Sequence, residues 1–175
     1  AFEEAPTAQN QMRLAAALLD LGQAADAAVQ YEACMKGPFA SDPELRYGAA
    51  RAYTECQRYA EALGHLESLR RERPDFRPEA IHLLFARCYA GTSRGAEARA
   101  EFTAAEEKFG TYEAKGEYAI WALAIGDKHT AGRLDAELTK IASRWNPLTR
   151  DLNERVHSRY LAAKKLAEAG ANAPR

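Results

Sequence analysis

Small and apolar residues recur along the chain in sets with a one-then-three spacing. They fall at Leu14, Ala15 and Leu18; at Ala49, Ala50 and Tyr53; at Phe85, Ala86 and Tyr89; and at Tyr118, Ala119 and Ala122. On a helix of about 3.6 residues per turn each set occupies one face, so each predicts an amphipathic helix. A second helix follows each set and opens on an alanine, at Ala27, Ala62, Ala98 and Ala131, with separations of 35, 36 and 33 residues. Four positions later stands a bulky residue, Tyr31, Leu66 or Phe102, and in the fourth copy Asp135 beside Leu134. Five positions before each alanine a turn-prone or polar residue ends the first helix: Gly22, Gln57, Ser93 and Gly126. Two small faces can approach closely, so the pattern predicts four helical hairpins packed in series.

A repeat of two helices at this period resembles the tetratricopeptide repeat family, whose unit is about 34 residues long. The best single copy is Tyr53, Tyr59, Ala62 and the closing Pro74, and the resemblance covers about residues 8 to 143. It implies an all-α, right-handed α-α superhelix, a tetratricopeptide-like solenoid of about four helix-turn-helix repeats at 8–41, 43–76, 79–111 and 112–145. Gly37-Pro38-Phe39, the inserted Phe76-Arg77-Pro78 and the missing aromatic of the fourth copy depart from the family pattern. After 8–145, Asn146-Pro147 breaks the periodicity. Leu148, Leu152, Val156 and Tyr160 then recur every four residues over 146–168, which predicts a C-terminal capping helix. Such a cap covers the apolar face that a last repeat exposes. The Ala-, Gly- and Pro-rich stretch 169–175 is expected to fray.

A narrower resemblance rests on Arg73-Pro74-Asp75-Phe76-Arg77, Ile81-His82-Leu83-Leu84-Phe85-Ala86-Arg87 and Trp145-Asn146-Pro147. These stretches look like bacterial membrane-anchored repeat proteins whose N-terminal segment is similar to that of phospholipase D-type nucleases. The likeness implies a membrane-proximal domain whose upstream segment, before Ala1, carries the anchor.

Charge and composition narrow the function classes. Lys and Arg number 24 against 25 Asp and Glu, so no chain-wide positive field favours phosphate, and nucleic acid is not an expected partner. The longest apolar run, Tyr118 to Ile125, is far short of the ~18 residues of a spanning helix. Three cysteines, Cys34, Cys56 and Cys88, are read as free packing thiols in a reducing, cytoplasmic setting. Phosphate loops, nucleophile elbows, paired metal-binding histidines and Cys-x-x-Cys motifs are absent from the sequence, so neither enzyme chemistry nor a cofactor or metal is expected.

Binding is the function left. Stacked first helices line an inner surface, and the positions that the repeat leaves free there are Gln9, Met12 and Ala16; Glu44, Tyr47 and Arg51; Ala80, Leu83 and Arg87; and Glu113, Gly116 and Ile120. Arg51 and Arg87 are equivalent, 36 residues apart, and two such guanidinium groups would grip a carboxylate or phosphate in forked geometry. Met12, Tyr47, Arg51, Leu83 and Arg87 are therefore the expected peptide groove. The competing reading pairs each arginine with an acidic neighbour, for example Arg51 with Glu55. The terminal-carboxylate clamp of Lys and Asn known in the family has no counterpart here. A second candidate is basic: Lys140, Arg144, Arg150, Arg155, Arg159, Lys164 and Lys165 against Asp151 and Glu154 give +5 locally and leave −6 elsewhere. Arg150, Arg155 and Arg159 are the expected contact to an anionic partner or lipid. The expected function is thus a non-catalytic protein-protein interaction or scaffold module that holds an acidic peptide or protein segment in its concave groove. The alternative is a structural spacer or a membrane-proximal domain of a larger bacterial protein. Self-association is a further expectation, because an imperfectly capped end can pair with a copy of itself.

Overall fold

The computed structural model describes residues 8–171, and the chain divides into two compact units, Ala1–Ala98 and Arg99–Arg175. All regular structure among the described residues is helical. The elements are α1 (Ala8–Asp20), α2 (Ala24–Met35), α3 (Pro43–Glu55), α4 (Tyr59–Glu72), α5 (Pro78–Gly91), α6 (Gly95–Phe109), α7 (Tyr112–Ala124), α8 (Lys128–Ala142) and α9 (Pro147–Ala171). The division between units falls inside α6.

Each predicted hairpin turns in the same way. Gly22, Gln57, Ser93 and Gly126 take left-handed backbone conformations, with φ of 78°, 63°, 59° and 74°. At each turn two carbonyls of the ending helix are closed. The Arg58 N–H donates to the Tyr53 carbonyl at 2.8 Å and the Gln57 N–H to Thr54 at 3.2 Å. The same two bonds recur at Gln23 to Leu18 with Gly22 to Leu19, at Arg94 to Tyr89 with Ser93 to Ala90, and at Asp127 to Ala122 with Gly126 to Leu123. This paired closure is the Schellman arrangement. Glycine adopts it freely, whereas Gln57 and Ser93 carry a Cβ in a region disfavoured by about 1–2 kcal/mol.

In the first unit α1 packs on α2, α2 on α3, α3 on α4 and α4 on α5. The alanines of the repeat do what their size predicts: Ala15, Ala27, Ala49, Ala50 and Ala62 are fully buried at the crossings. Gly48 lets the Tyr31 ring lie against α3, since a Cβ there would come within 2.5 Å of the ring. Gly91 admits Tyr59 in the same fashion, at 2.2 Å. Starts are specified locally. Asp42 caps α3 by accepting from the Glu44 and Leu45 amides at 2.8 and 3.1 Å, with Pro43 in the first turn. The inserted Phe76-Arg77-Pro78 holds Arg77 in the left-handed region at φ 42°, and Pro78 opens α5 where its missing N–H costs no helical bond.

In the second unit Phe102 stacks on Tyr118 at 5.4 Å and meets Trp121 at the same distance. Thr111 caps α7, and Asp127 caps α8 while receiving Arg99 at 2.8 Å. A charged network ties α6, α7 and α8. Lys115 reaches Glu106 and Glu137 at 3.3 and 2.5 Å, and Arg133 reaches the same two carboxylates at 2.6 and 3.0 Å.

The helix after Asn146-Pro147 packs on α7, with Val156 over Gly116, but its buried stripe differs from the expected one. Val156 and Tyr160 are buried, whereas Leu148 and Leu152 are 68% and 77% exposed. A four-residue repeat advances about 40° per step, so over three steps it leaves the contact face. The half-buried positions Thr149, Asn153, Ala163 and Ala167 complete the seam instead. Helix α9 runs through Ala171, which makes residues 169–171 helical where fraying was expected; 172–175 lie outside the described residues.

Three stability measurements follow. Gly48→Ala should destabilise the chain by about 1–3 kcal/mol in urea denaturation through the clash with Tyr31. Gly64→Ala, where nothing lies within 4 Å of the added methyl, should stabilise by up to about 1 kcal/mol. Ser93→Gly relieves the left-handed turn and should raise stability by about 1 kcal/mol in the same assay.

Candidate functional site

Helix α3 carries the centre of the site, because its buried side is spent on small residues and its opposite side keeps the long ones. Tyr47 and Met12 are half-buried against the core of the first unit. The Arg51 guanidinium stands 6.0 Å from the Tyr47 ring centre and 3.8 Å from the Asp20 carboxylate. Glu55 does not take Arg51, one turn back on its own helix. It accepts Arg87 from α5 at 2.8 Å, so the expected neighbour pairing is replaced by one between hairpins. Leu83, expected as an apolar wall, is only 6% exposed and presents little surface. The reason is that α5 is apolar on three sides, with Ile81, Leu84, Phe85 and Cys88 buried beside it.

Two residues that sequence reasoning treated as an irregular junction belong to this surface. Phe76 meets Tyr47 edge to face at 6.0 Å. The Arg77 guanidinium lies 5.2 Å from the Tyr47 ring and 5.6 Å from that of Phe76, and it donates to Glu44 at 3.0 Å. Arg77 reaches this place through its left-handed backbone. The inserted residues before Pro78 were the signal, since a longer connection lets its side chains fold back over the preceding hairpin. The patch therefore holds two aromatic rings with Arg51 and Arg77 over Tyr47, flanked by Glu44 and Asp20.

The basic candidates do not form one surface. Arg150 and Arg159 are nine residues apart on α9, about half a turn of azimuth at roughly 100° per residue. Arg159 is also engaged: its guanidinium bonds the Glu117 carboxylate of α7, with a second contact at 3.3 Å. Glu117 is buried, so this pair anchors the helix. Arg155 and Arg150 remain exposed.

An open cleft of about 330 Å³ in the second unit is lined by Tyr112, Leu138, Ala142, His157, Tyr160 and Leu161 among others. Its polar groups are bonded to one another. The Tyr112 hydroxyl lies 2.6 Å from His157 Nδ1, and Asp135 receives Lys164 at 2.7 Å together with the Tyr160 hydroxyl. Burial and the nearby Asp135 charge push the Tyr112 phenol up to about 12, and burial with the Asp135 bond raises Tyr160 further. These phenols stay protonated. Burial likewise raises the Cys34 and Cys88 thiols, the latter beside the Thr54 hydroxyl at 3.3 Å, which disfavours the reactive thiolate. Among the described residues no group of three His, Cys, Asp or Glu is placed to hold a metal ion, and no helix is long and apolar enough to cross a membrane.

A family model described as tetratricopeptide repeat matches residues 18–81, from the end of α1 to the start of α5. No match was found among curated proteins or among solved structures. The family match bears on the repeats and not on the narrower likeness to membrane-anchored proteins.

The ion pairs of the site are solvent-exposed, with Asp20 at 70% and Glu55 at 39% side-chain exposure, and such pairs contribute about 0–1 kcal/mol. Arg51→Ala and Arg87→Ala should accordingly each shift the unfolding free energy by less than about 1 kcal/mol, as read by chemical denaturation.

Proposed function

From the premise that this chain carries tetratricopeptide repeats over residues 18–81, we propose that its first unit is a non-catalytic docking surface for an acidic, partly apolar protein segment. The observation that carries this reading is the patch on α3 and the α4–α5 connection. Tyr47 and Phe76 offer apolar area on rings that lose little freedom on binding, and Arg51 and Arg77 supply charge over the same area. Aromatic and arginine side chains carry most of the binding energy at protein interfaces. Arg51 is the group most open to exchange, because its acidic neighbour is 3.8 Å away and largely in water. A ligand carboxylate would take the place of Asp20, while an apolar side chain of the same segment rests on Met12 and Tyr47. Arg87, paired with Glu55 across hairpins, is a second point of charge. Free cysteines support a reducing, cytoplasmic setting for that encounter.

The test is a selection of peptides displayed against the intact chain, followed by fluorescence anisotropy on those recovered. Acidic-apolar sequences should emerge, and Arg51→Ala with Arg87→Ala should weaken their binding at least tenfold, about 1.4 kcal/mol. Unchanged affinity in a folded double variant would instead point to a spacer whose surface arginines serve solubility.

A further inference from the structure

Helix α1 leaves open a face that its counterparts close. By the repeat alignment, Leu14 and Ala17 correspond to Ala49 and Ala52 of α3 and to Phe85 and Cys88 of α5, all four of which are buried. They are buried because a second helix precedes each: α2 packs on α3, and α4 on α5. At the corresponding positions of α1, Leu14 is 49% exposed, Ala17 is exposed, and Leu21 at the turn is 75% exposed. These three lie on one side of the helix, at successive spacings of three and four residues. The hairpin α1–α2 holds one basic residue, Arg13, against Asp20, Asp26 and Glu32, a balance of −2.

The opposite kind of surface is found on α9. Leu148, Leu152, Arg155, Ala162 and Leu166 fall within about 80° of azimuth at roughly 100° per residue, about a quarter turn from the Val156–Tyr160 seam. The three leucines are among the most exposed of the described large apolar residues. Helix α9 carries five basic residues against three acidic ones, a balance of +2; Arg159 is engaged by Glu117, and the exposed face keeps Arg155 and no acid.

We propose that a second copy of this chain is the occupant. The exposed face of α9 from one copy lies against the open α1–α2 face of another, where a preceding helix would sit in the interior of the array. The fit is chemical on both counts. A helix is the shape that α3 and α5 accept at these positions, and leucines meet leucines while Arg155 approaches Asp20 and Asp26. The contact is heterologous, with different surfaces on the two copies. Asp20 also neighbours Arg51 at 3.8 Å, so the contact borders the peptide-docking patch; the leucine variants leave Asp20, Arg51 and Arg87 unchanged and so separate the two readings.

Sedimentation velocity of the full chain over a concentration series tests it, with Leu14→Glu/Leu21→Glu as one variant and Leu148→Glu/Leu152→Glu as another. All four leucines are solvent-exposed, so both variants should keep the parent's helical circular dichroism. The parent should self-associate in the micromolar range, and each variant alone should associate at least tenfold more weakly. An equimolar mixture should recover association as one-to-one pairs, because each variant retains one intact face. A parent that stays monomeric to about 200 µM overturns the proposal, as does a mixture that fails to recover. A monomeric parent that binds phosphatidylglycerol vesicles through Leu148 and Leu152 also overturns it, in favour of a lipid surface. As a further arm, Arg155→Glu should weaken pairing with the parent and regain it with Asp20→Lys/Asp26→Lys; no regain removes the charge match.

Discussion

Close approach of two helices at an alanine is the constraint from which the rest of each unit follows. Ala27, Ala62, Ala98 and Ala131 open the second helices and are buried, so the backbone of the partner helix can lie directly on them. Such proximity requires the chain to reverse within about two residues, and the left-handed residue at Gly22, Gln57, Ser93 or Gly126 performs that reversal. The paired carbonyl closure satisfies groups that a helix end would otherwise leave to solvent. Larger side chains are then confined to defined places, as with Tyr31 against Gly48 and Tyr59 against Gly91. Close packing leaves little room for adjustment at these points.

With the inner positions reserved for small residues, the long polar side chains are displaced to the faces of the hairpins. There they pair across elements as well as along single helices: Arg58 with Glu32 at 2.6 Å, Arg46 with Glu72 at 2.6 Å, and Arg87 with Glu55 at 2.8 Å cross between helices, while Arg133 with Glu137 at 3.0 Å stays on α8. Pairs of this kind add little stability in water, yet they hold charge at set positions and yield it readily to a better partner. The aromatic and arginine patch on α3 arises from the same displacement. Its composition suits recognition, and its charges are only loosely committed.

The end of the array shows how a departure from the repeat is absorbed. Asp135 occupies the position held by Tyr31, Leu66 and Phe102, and it receives the Tyr160 hydroxyl and the Lys164 ammonium of α9. An aromatic ring missing from α8 is thus supplied by the following helix. The buried Glu117–Arg159 pair adds orientation to the same junction. One side of α9 is committed to α7 by these contacts, which leaves its leucines and Arg155 on the side without a partner.

The sequence by itself determined the hairpins: helix periodicity, the alanines at the crossings and the four turn positions were all legible, because each depends on contacts within about ten residues or on a strict repeat. The placement of Tyr47 and Arg51 on the open side of α3 followed from the same register. Tertiary structure decided what that register cannot express. Glu55 pairs with Arg87 rather than Arg51, Leu83 is buried, and Phe76 and Arg77 fold over Tyr47, because these choices depend on side chains about thirty residues away or on a single strained backbone angle. The face of α9 was misjudged for a related reason. A four-residue repeat in leucine is compatible with several rotations of a helix, and only the seam offered by α7, with Gly116 beneath Val156 and Glu117 beside Arg159, selects one of them.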